Sequence, residues 1–560
     1  MKARALLVMI ACISGQHAAS QVVIPPSVEP GQVQRQLQEM RAPRAVSQQV
    51  LPPTPQQPVP QEAGDRRFIL RGVEASGGTV YDAHAIDNAF AALIGREIPV
   101  SMVFKIANAL TARYRRDGYI LSQVLVPAQS IADGQVKLLI VEGFIANVRF
   151  RGELPQGNKL LEAYSRKLQG SRPLTAAVLE RYLLLMNDLG ETSASGTLVP
   201  SASTPGAADL WIDFKLSPEH AALAIDNRNS RSLGPYAATA DLDWYGAFGT
   251  WDRATVKTGS SFNSKLNFAG LAYGSALGYE GAHWNLNTTY VRSKPGPAAN
   301  LVATDLQTKS IASALQLDYP LLRSREQNLY LRSSLTSFDG RSEFVLADVS
   351  DDHIRAARLG LSFDRADPWR GVNMLDMEFS HGLNTLGARE QGSPASPLSR
   401  VNGRADFSKV TWYAARLQSL GGPWSSLFAV TGQQAFTTLL APELFSFGGE
   451  LFGRGYDAAE IAGDSGEAAK AELRFSGAKP QFVVPAYSLY GFLDWGEVRM
   501  RQPINVPPRE VASSCGLGLR LSGERNRWQA FLEVAKPINR DVAAEGNRRP
   551  RVYFGVQVNQ

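Results

Sequence analysis

The sequence contains only two cysteines among its 560 residues, at positions 12 and 515. With a single cysteine outside the first twenty residues, the chain cannot form an intrachain disulfide once those residues are removed, and a cysteine-based zinc site is excluded. Cys515 alternates with Leu517, Leu519 and Leu521. This alternation predicts that the thiol is an apolar, lipid-facing side chain on a strand.

Long hydrophobic runs are also absent. After the first twenty residues no run of about 18 apolar residues occurs, and this excludes a helical membrane protein. The formal net charge of +6 at pH 7 is spread along the chain without basic blocks. Nucleic acid is therefore not an expected partner.

The motifs of common enzymes are missing too. The sequence has no H-E-x-x-H pair, no G-x-S-x-G nucleophile elbow and no G-x-x-x-x-G-K-[ST] phosphate loop. The histidines are scattered, with no second ligand at metal spacing; they are His17, His84, His220, His283, His353 and His381. We predict no catalytic site, no cofactor and no metal site, and we do not expect an enzyme.

The first twenty residues are typical of a secretory signal peptide. Lys2 and Arg4 form a basic start, an apolar run follows over 5–13, and 18–20 provides a small-residue cleavage site. Cys12 follows a poor lipobox, so lipoprotein processing is the less favoured alternative. The pattern predicts that the chain leaves the cytoplasm.

Two contrasting segments follow. Residues 27–41 predict one short amphipathic helix with Val33, Leu37 and Met40 on one stripe. Residues 42–66 are rich in proline and glutamine and predict an extended tether. A helix on such a tether can reach a distant site, although a tail without a role is the alternative.

Two copies of one unit come next, over 67–143 and 144–218. Each predicts a strand, two helices and two further strands, and the first copy has its helices at about 83–95 and 99–117. The repeat of about 75 residues indicates tandem α+β domains. Two unrelated small domains are the alternative interpretation.

From 221 to 560 the pattern changes to alternating segments of roughly ten residues. In one of them Trp284, Leu286 and Tyr290 alternate with polar residues, as expected for a transmembrane β-barrel. At about 21 residues per strand and connection, this region accommodates about 16 antiparallel strands. The predicted fold is a transmembrane β-barrel preceded by two α+β domains and an amino-terminal helix.

Two glycine-rich segments in the barrel region each carry a single charge. The first, 447–475, contains Arg454 within F-G-R-G-Y, and the second, 491–498, contains Asp494 on an alternating strand. If Asp494 faces the lumen together with Phe492 and Gly496, a lumenal arginine has reason to pair with it. An ordinary hairpin loop and a solvated lumen carboxylate are the alternative.

These segments resemble the inward-folded loop and a barrel strand of the two-partner secretion (type Vb) outer-membrane transporters of the haemolysin-activator and filamentous-haemagglutinin-transporter type. The V-R-G-F/Y tetrad of that family corresponds to Gly453, Arg454, Gly455 and Tyr456, followed by G-D-S-G at 463–466. Its F-x-D-x-G strand motif corresponds to Phe492, Asp494 and Gly496. The resemblance implies that the arginine at the loop tip contacts the aspartate. Glycine replaces valine at 453, and we expect this change to weaken packing at the tip.

The segment 118–134 is similar to the signature of the polypeptide-transport-associated (POTRA) domains of the same family. The matching residues are Gly118, Tyr119, Pro127, Gln129 and Gly134. The resemblance implies two periplasmic POTRA domains at 67–143 and 144–218 that bind an unfolded cargo. Binding of an extended peptide to a free sheet edge suits such a cargo, and the strands 136–141 and 210–216 are equal candidates for that edge.

The resemblance covers the whole mature chain. It implies a plug helix at 27–41 inside the pore, secretion of one large β-helical exoprotein of adhesin or haemolysin type, and contacts with outer-membrane lipid and with the barrel-assembly machinery during biogenesis. Asn229 replaces a family glycine, and Gln560 replaces the usual terminal aromatic, a signal that Tyr553 and Phe554 could supply. The alternative is an assembly or insertion factor of the same superfamily.

Overall fold

The protein is described from a computed structural model that covers residues 24–36 and 66–560, apart from 132, 153, 155–157, 191, 217–218, 299–304, 346 and 479–485. The predicted signal peptide, nearly all of the predicted tether, and Leu37 and Met40 of the predicted plug helix lie outside the described residues. A one-turn 3-10 helix, Pro26–Val28, leads into the helix α1, Pro30–Gln36.

The first of the two repeated units forms a small α+β domain, which we call the first docking domain. Its elements are β1 (Arg67–Ile69), β2 (Gly72–Ser76), α2 (Ala83–Phe90), β3 (Glu97–Pro99), α3 (Val100–Arg116), β4 (Gln123–Leu125) and β5 (Gln135–Val141). Asp82 caps α2 by accepting a hydrogen bond from the Ala85 amide. The sheet order is β2-β5-β4, and α3 packs on it through buried residues such as Leu110 and Tyr114.

The second docking domain repeats this plan with its own hydrophobic core. Its elements are β6 (Phe144–Arg151), α4 (Lys159–Gly170), α5 (Ala176–Asn187), β7 (Thr192–Pro200) and β8 (Ala207–Leu216). The sheet order is β6-β8-β7. Because β5 and β8 are the central strands, our expectation that 136–141 or 210–216 offers a free edge was wrong. Each of them pairs with a parallel strand on one side and an antiparallel strand on the other.

The rest of the described chain forms a closed antiparallel barrel of 16 strands, which confirms the predicted fold. The strands are β9 (Glu219–Asp226), β10 (Ala237–Tyr245), β11 (Asp252–Ser261), β12 (Leu266–Leu277), β13 (Ala282–Ser293), β14 (Leu306–Arg323), β15 (Gln327–Phe344), β16 (Ala347–Ala366), β17 (Gly371–Gly382), β18 (Ser408–Gly421), β19 (Trp424–Ala435), β22 (Ser465–Ala478), β23 (Ala486–Arg499), β24 (Arg509–Ser522), β25 (Trp528–Pro537) and β26 (Arg551–Asn559). The short strands β20 (Phe445–Phe447) and β21 (Ile461–Gly463) form a separate hairpin between β19 and β22.

Alternation along the strands is as predicted. On β23, Leu489 and Leu493 lie on the exposed outer face, whereas Tyr490, Phe492 and Asp494 are buried on the lumen side. Cys515 is the register partner of Leu493 and therefore also faces outward. Several strands are longer than the expected ten residues, with β16 reaching 20.

The second docking domain sits against one end of the barrel. Arg323 of β14 forms a two-pronged ion pair with Asp188, with both N–O distances at 2.8 Å. Lys167 reaches Glu280 at 2.7 Å. We call the opposite end of the barrel the far end. Among the described residues, no helix is long and apolar enough to span a membrane.

Candidate functional site in the barrel lumen

The connection between β19 and β22, residues 436–464, folds back into the lumen. It begins with a 3-10 helix, Ala441–Glu443, and continues through the hairpin β20–β21, whose closing loop carries the tip 453–456. Phe447, Phe452 and Tyr456 are buried in one apolar cluster with strand residues of the barrel. The loop is thus packed into the lumen along its length.

Arg454 and Asp494 meet at the loop tip. The Arg454 Nη2 atom lies 2.7 Å from Asp494 Oδ1, and its Nε atom lies 3.1 Å from Oδ2. The backbone amides of Gly453 and Arg454 also donate to Oδ2, at 3.2 and 2.9 Å. Arg454 is 3% exposed and Asp494 2%. The aspartate therefore holds both the side chain and the backbone of the tip.

Sequence reasoning missed a second carboxylate at this position. Glu472 of β22 accepts a hydrogen bond from Arg454 Nη1 at 2.7 Å. It also accepts from Arg474 at 2.6 Å and from Arg520 at 2.8 Å. The alternation of Lys470, Glu472 and Arg474 in the sequence marks this lumenal row, but only the strand register shows that Glu472 lies beside Arg454. Two buried carboxylates thus surround one guanidinium, which offsets the cost of removing these charges from water.

Aromatic and glycine residues complete what we call the loop-tip site, formed by Arg454, Glu472, Phe492 and Asp494. The guanidinium carbon of Arg454 lies 3.6 Å from the centroid of the Phe492 ring, a cation–π contact. At Gly496, a Cβ atom would lie 2.2 Å from the Phe447 ring, so only glycine lets the loop approach β23 this closely. The three residues of the F-x-D-x-G motif thus each have a distinct contact with the loop.

The two glycines of the tetrad are each required for a different structural reason. Gly453 has a φ angle of +92°, a left-handed conformation that valine rarely adopts. Phe447 lies 2.7 Å from the position a Cβ atom would take, so it occupies that space. The expected loss of packing at the tip is therefore not found. At Gly455, a Cβ atom would lie 2.7 Å from Ser514.

The tip and the end of the loop are tied to other far-end segments. The Tyr456 hydroxyl donates to the Ser513 carbonyl at 3.0 Å. Asp464, in the G-D-S-G segment, is fully buried and accepts two hydrogen bonds from Arg400 at 2.7 and 3.1 Å. It also accepts from the Arg501 amide at 2.7 Å. Asp464 thereby joins three connections between barrel strands.

The helix α1 lies inside the barrel, against β13, β14, β15 and the loop. Val28 and Val33 pack into an apolar cluster with strand residues such as Phe268. Gln32 donates from Nε2 to the Ala441 carbonyl at 2.8 Å, and Arg35 donates to the Pro442 carbonyl. The described part of the predicted plug helix therefore occupies the lumen and contacts the loop directly.

The signature residues of the first docking domain form turns and contacts within the domain itself. Gly118 follows α3 with a φ angle of +94°, and Gly134 has a φ angle of +71° in the turn before β5. The Tyr119 ring packs edge-on against Tyr114. The Gln129 side chain donates to the carbonyls of Pro127 and Lys137 and accepts from the Lys137 amide. These contacts shape the domain.

Among the described residues there is no group of three or more histidine, cysteine, aspartate or glutamate side chains arranged to hold a metal ion. The charges of the loop-tip site are used in ion pairs. The arrangement is suited to holding a loop in place inside a pore.

Comparisons with known families identify two regions. A family model described as haemolysin secretion/activation protein ShlB/FhaC/HecB matches residues 215–521. A model described as POTRA domain, ShlB-type, matches residues 68–143. The first match covers more than half of the chain and includes the whole loop-tip site.

Curated relatives agree with these matches. The heme/hemopexin transporter protein HuxB of Haemophilus influenzae strain 86-028NP is 23% identical over 476 residues, which cover 82% of this chain and 81% of that protein. The outer membrane transporter CdiB-2 of Burkholderia pseudomallei strain 1026b is 24% identical over 438 residues, which cover 75% of this chain and 71% of that protein.

Solved structures show the same fold. CdiB from Escherichia coli superimposes with a TM-score of 0.72 at 19% identity and covers 90% of this chain and 93% of its own. CdiB from Acinetobacter baumannii gives 0.64 at 16% identity, with 94% and 96% covered. BamA from Haemophilus ducreyi lacking POTRA domains 1–3 gives 0.51 at 14% identity, with 88% and 100% covered.

Proposed function

Because the chain belongs to the ShlB/FhaC/HecB family of haemolysin secretion/activation proteins, we propose that it secretes one large β-helical exoprotein of adhesin or haemolysin type. The barrel lies in the outer membrane, and the docking domains lie in the periplasm. The far end of the barrel then faces the cell exterior. Cargo passes from the docking domains through the lumen to the surface.

This proposed function rests mainly on the two segments that fill the barrel lumen. The pore is filled by two separate pieces, the helix α1 and the inward loop, each held by contacts that can be broken without opening a strand pair. A passive porin has no need for two docking domains below such a pore. A filled lumen beside peptide-binding domains suits a gated path for an unfolded chain.

Folding of the cargo outside the cell makes its transport proceed outward. Each stretch that folds on the surface is no longer available to return through the pore, so the equilibrium shifts outward. The sequence contains no phosphate-binding loop, and secretion driven by folding of the cargo does not need one. Retention of cargo in the pore would follow if it could not fold outside.

Cargo recognition begins on a sheet edge of the docking domains. The outer edge of β4 is occupied, because the Val124 amide donates to the Thr111 hydroxyl at 2.9 Å. On β7, the Asn187 side chain bonds both backbone groups of Ala194. By alternation, the amides of Gly196 and Leu198 point away from β8 in the same direction. We assign the Gly196–Leu198 part of β7 as the docking edge.

The test is binding of cargo to the docking fragment 66–216, each of whose domains has its own core. The fragment is titrated with the unfolded amino-terminal secretion domain of a candidate exoprotein from a neighbouring gene. We expect micromolar affinity, which is plausible for a transient contact. Absence of binding up to roughly millimolar concentration would move recognition to the barrel.

A matched pair of variants tests the edge itself. Leu198→Pro removes one outward amide donor while leaving the bonds to β8 intact, and proline is tolerated at such edge positions. Leu198→Ala shortens the side chain but keeps the amide. We expect the proline variant alone to lose binding, by at least tenfold. Equal binding by both variants would place the docking edge elsewhere, with β2 as the next candidate.

The second candidate function is assembly of other outer-membrane proteins, since BamA shares this fold. Depletion of the chain separates the two functions. A secretion transporter leaves the amounts of other outer-membrane barrels unchanged, whereas an assembly factor lowers them.

A further inference from the structure

Three cations form a row on the outer wall of the barrel near the far end. Arg292 of β13 is the register partner of Lys309 on β14, and Lys309 is the register partner of Arg341 on β15. All three side chains are exposed. We call them the cationic row.

The row faces outward because its sequence neighbours face the lumen. Val291 packs beside the helix α1, and Ser293 bonds to Thr308 at 2.7 Å inside the barrel. Ser310 donates to Gln34 of the same helix. Since side chains alternate along a strand, Arg292 and Lys309 must project from the outer surface.

The row lies at the edge of the lipid-facing band. Directly next to it, toward the docking domains, are the exposed apolar partners Tyr290 and Ile311. The strand β14 carries Tyr319, another exposed aromatic, ten residues beyond Lys309. Ten residues rise about 33 Å along a strand, or roughly 25 Å along the axis of a barrel with tilted strands. This is about the height of the apolar band of outer-membrane barrels.

The charges of the row are incompletely compensated. Arg341 pairs with Asp348 at 2.7 Å and with Glu343 at 3.1 Å. Within the described part of the chain, neither Arg292 nor Lys309 has a carboxylate at ion-pair distance. Asp339, the partner of Ile311, is already taken by Arg355 at 2.7 Å. Like charges directly opposite each other on adjacent strands are destabilising unless an anion lies between them.

From these observations we propose that the cationic row binds the phosphate groups of a phosphorylated glycolipid in the outer leaflet, with Arg292 and Lys309 as the main ligands. An arginine fork and a lysine ammonium suit phosphate oxygens. The apolar side chains next to the row accept the acyl chains of the same molecule. The occupant is thus a membrane lipid whose headgroup lies at the height of the row.

The experiment uses the full-length protein in detergent and measures its affinity for purified lipopolysaccharide. The double variant Arg292→Gln/Lys309→Gln is expected to bind roughly 30-fold more weakly, since each cation near an anionic lipid contributes about fivefold. The conservative variant Arg292→Lys/Lys309→Arg should retain most of the affinity and shows that loss is due to charge. Gel mobility before and after heating verifies that each barrel is folded.

A matched control comes from the same end of the barrel. Arg499 and Arg509 also face each other across adjacent strands, but both pair with Glu497, at 2.8 and 2.7 Å. Arg499→Gln/Arg509→Gln is expected to keep the wild-type affinity. An equal loss in this control would overturn the proposal, because it would indicate a general charge effect.

Two further measurements test whether the ligand is the phosphate group of a lipid. Lipopolysaccharide stripped of its phosphates should bind the wild-type protein as weakly as intact lipopolysaccharide binds the double variant. Inorganic phosphate at millimolar concentration should not displace the glycolipid, because it lacks acyl chains. Tight binding of the stripped glycolipid, or displacement by free phosphate, would contradict a lipid-phosphate site.

Discussion

Three hydrogen bonds join Arg454 to Asp494, from the guanidinium Nε and Nη2 atoms and from the backbone amide. Both residues are nearly inaccessible to water. Removal of one partner of such a pair leaves a buried charge uncompensated, which costs on the order of 3–5 kcal/mol. The position of the loop tip therefore depends on this contact.

Arg454→Ala is expected to release the loop tip from β23 and to reduce cargo secretion at least tenfold, while the barrel still inserts. The amount of exoprotein in the medium measures secretion, and heat-dependent gel mobility measures insertion. The control is Arg416→Ala, which removes an arginine paired with Asp367 on the outer wall. Normal secretion by the Arg454 variant would show that the pair has no role in transport.

A single substitution can displace the helix α1 from its position against the loop. A Cβ atom on Gly31 would lie 2.4 Å from Pro442, so Gly31→Leu should push the helix from the loop. We expect higher ion conductance in planar bilayers with secretion largely intact, as also expected for deletion of 27–41. Gln36→Ala changes an exposed residue at the end of the helix and should leave conductance unchanged. Unaltered conductance in the Gly31 variant and the deletion would mean that the helix does not block ions.

Asn227 lies at the barrel seam between β26 and β9. Only five residue pairs join β26 to β9, and the Asn227 side chain extends the seam by donating to the Val552 carbonyl at 2.9 Å and accepting from the Phe554 amide at 2.7 Å. Loss of both bonds should cost about 1–3 kcal/mol.

Asn227→Ala should therefore lower the urea midpoint of barrel unfolding in detergent. Asn285→Ala, on β13 and away from the seam, serves as the control. An unchanged midpoint for Asn227→Ala would show that the side chain does not stabilise the seam.

Glu142 predicts a pH dependence of the first docking domain. Burial acts to raise its pKa, but hydrogen bonds from Thr79, Val80 and Tyr114 outweigh it and lower the pKa below the ordinary 4.5. A lowered pKa in the folded state stabilises the fold above pH 4.5, and this contribution is lost as the pH falls through the folded-state pKa.

We expect Glu142→Gln to lower the melting temperature of the fragment 66–216 at pH 7. The difference from wild type should shrink as the pH falls below 4.5. A difference that stays constant between pH 7 and pH 3 would rule out the titration of Glu142 as its source.

Alternation along the strands predicted the barrel, whereas the contact between Arg454 and Asp494 was implied by the resemblance to the transporter family. Alternation places Asp494 and Phe492 on the lumen side of a single strand, whatever strand lies next to it. The position of Glu472 could not be predicted from alternation alone. Its place beside Arg454 follows from the register between β22 and β23 and from the path of a long loop.

The free edges of the docking domains show the same limit. The strands that we expected at an edge, β5 and β8, are central because a parallel partner from earlier in the chain pairs with each of them. Nothing local to 136–141 or 210–216 encodes this neighbour. By contrast, the side chains that occupy edges, Thr111 and Asn187, lie on helices and become recognisable only when the domain is folded.

We infer that this chain carries one exoprotein to the cell surface. The most direct measurement is co-expression of the chain with a candidate exoprotein from a neighbouring gene, followed by quantification of that exoprotein in the periplasm and outside the cell. We predict that it appears outside only when the chain is present, and that other outer-membrane barrels stay at constant amounts. Equal amounts outside with and without the chain would contradict the account.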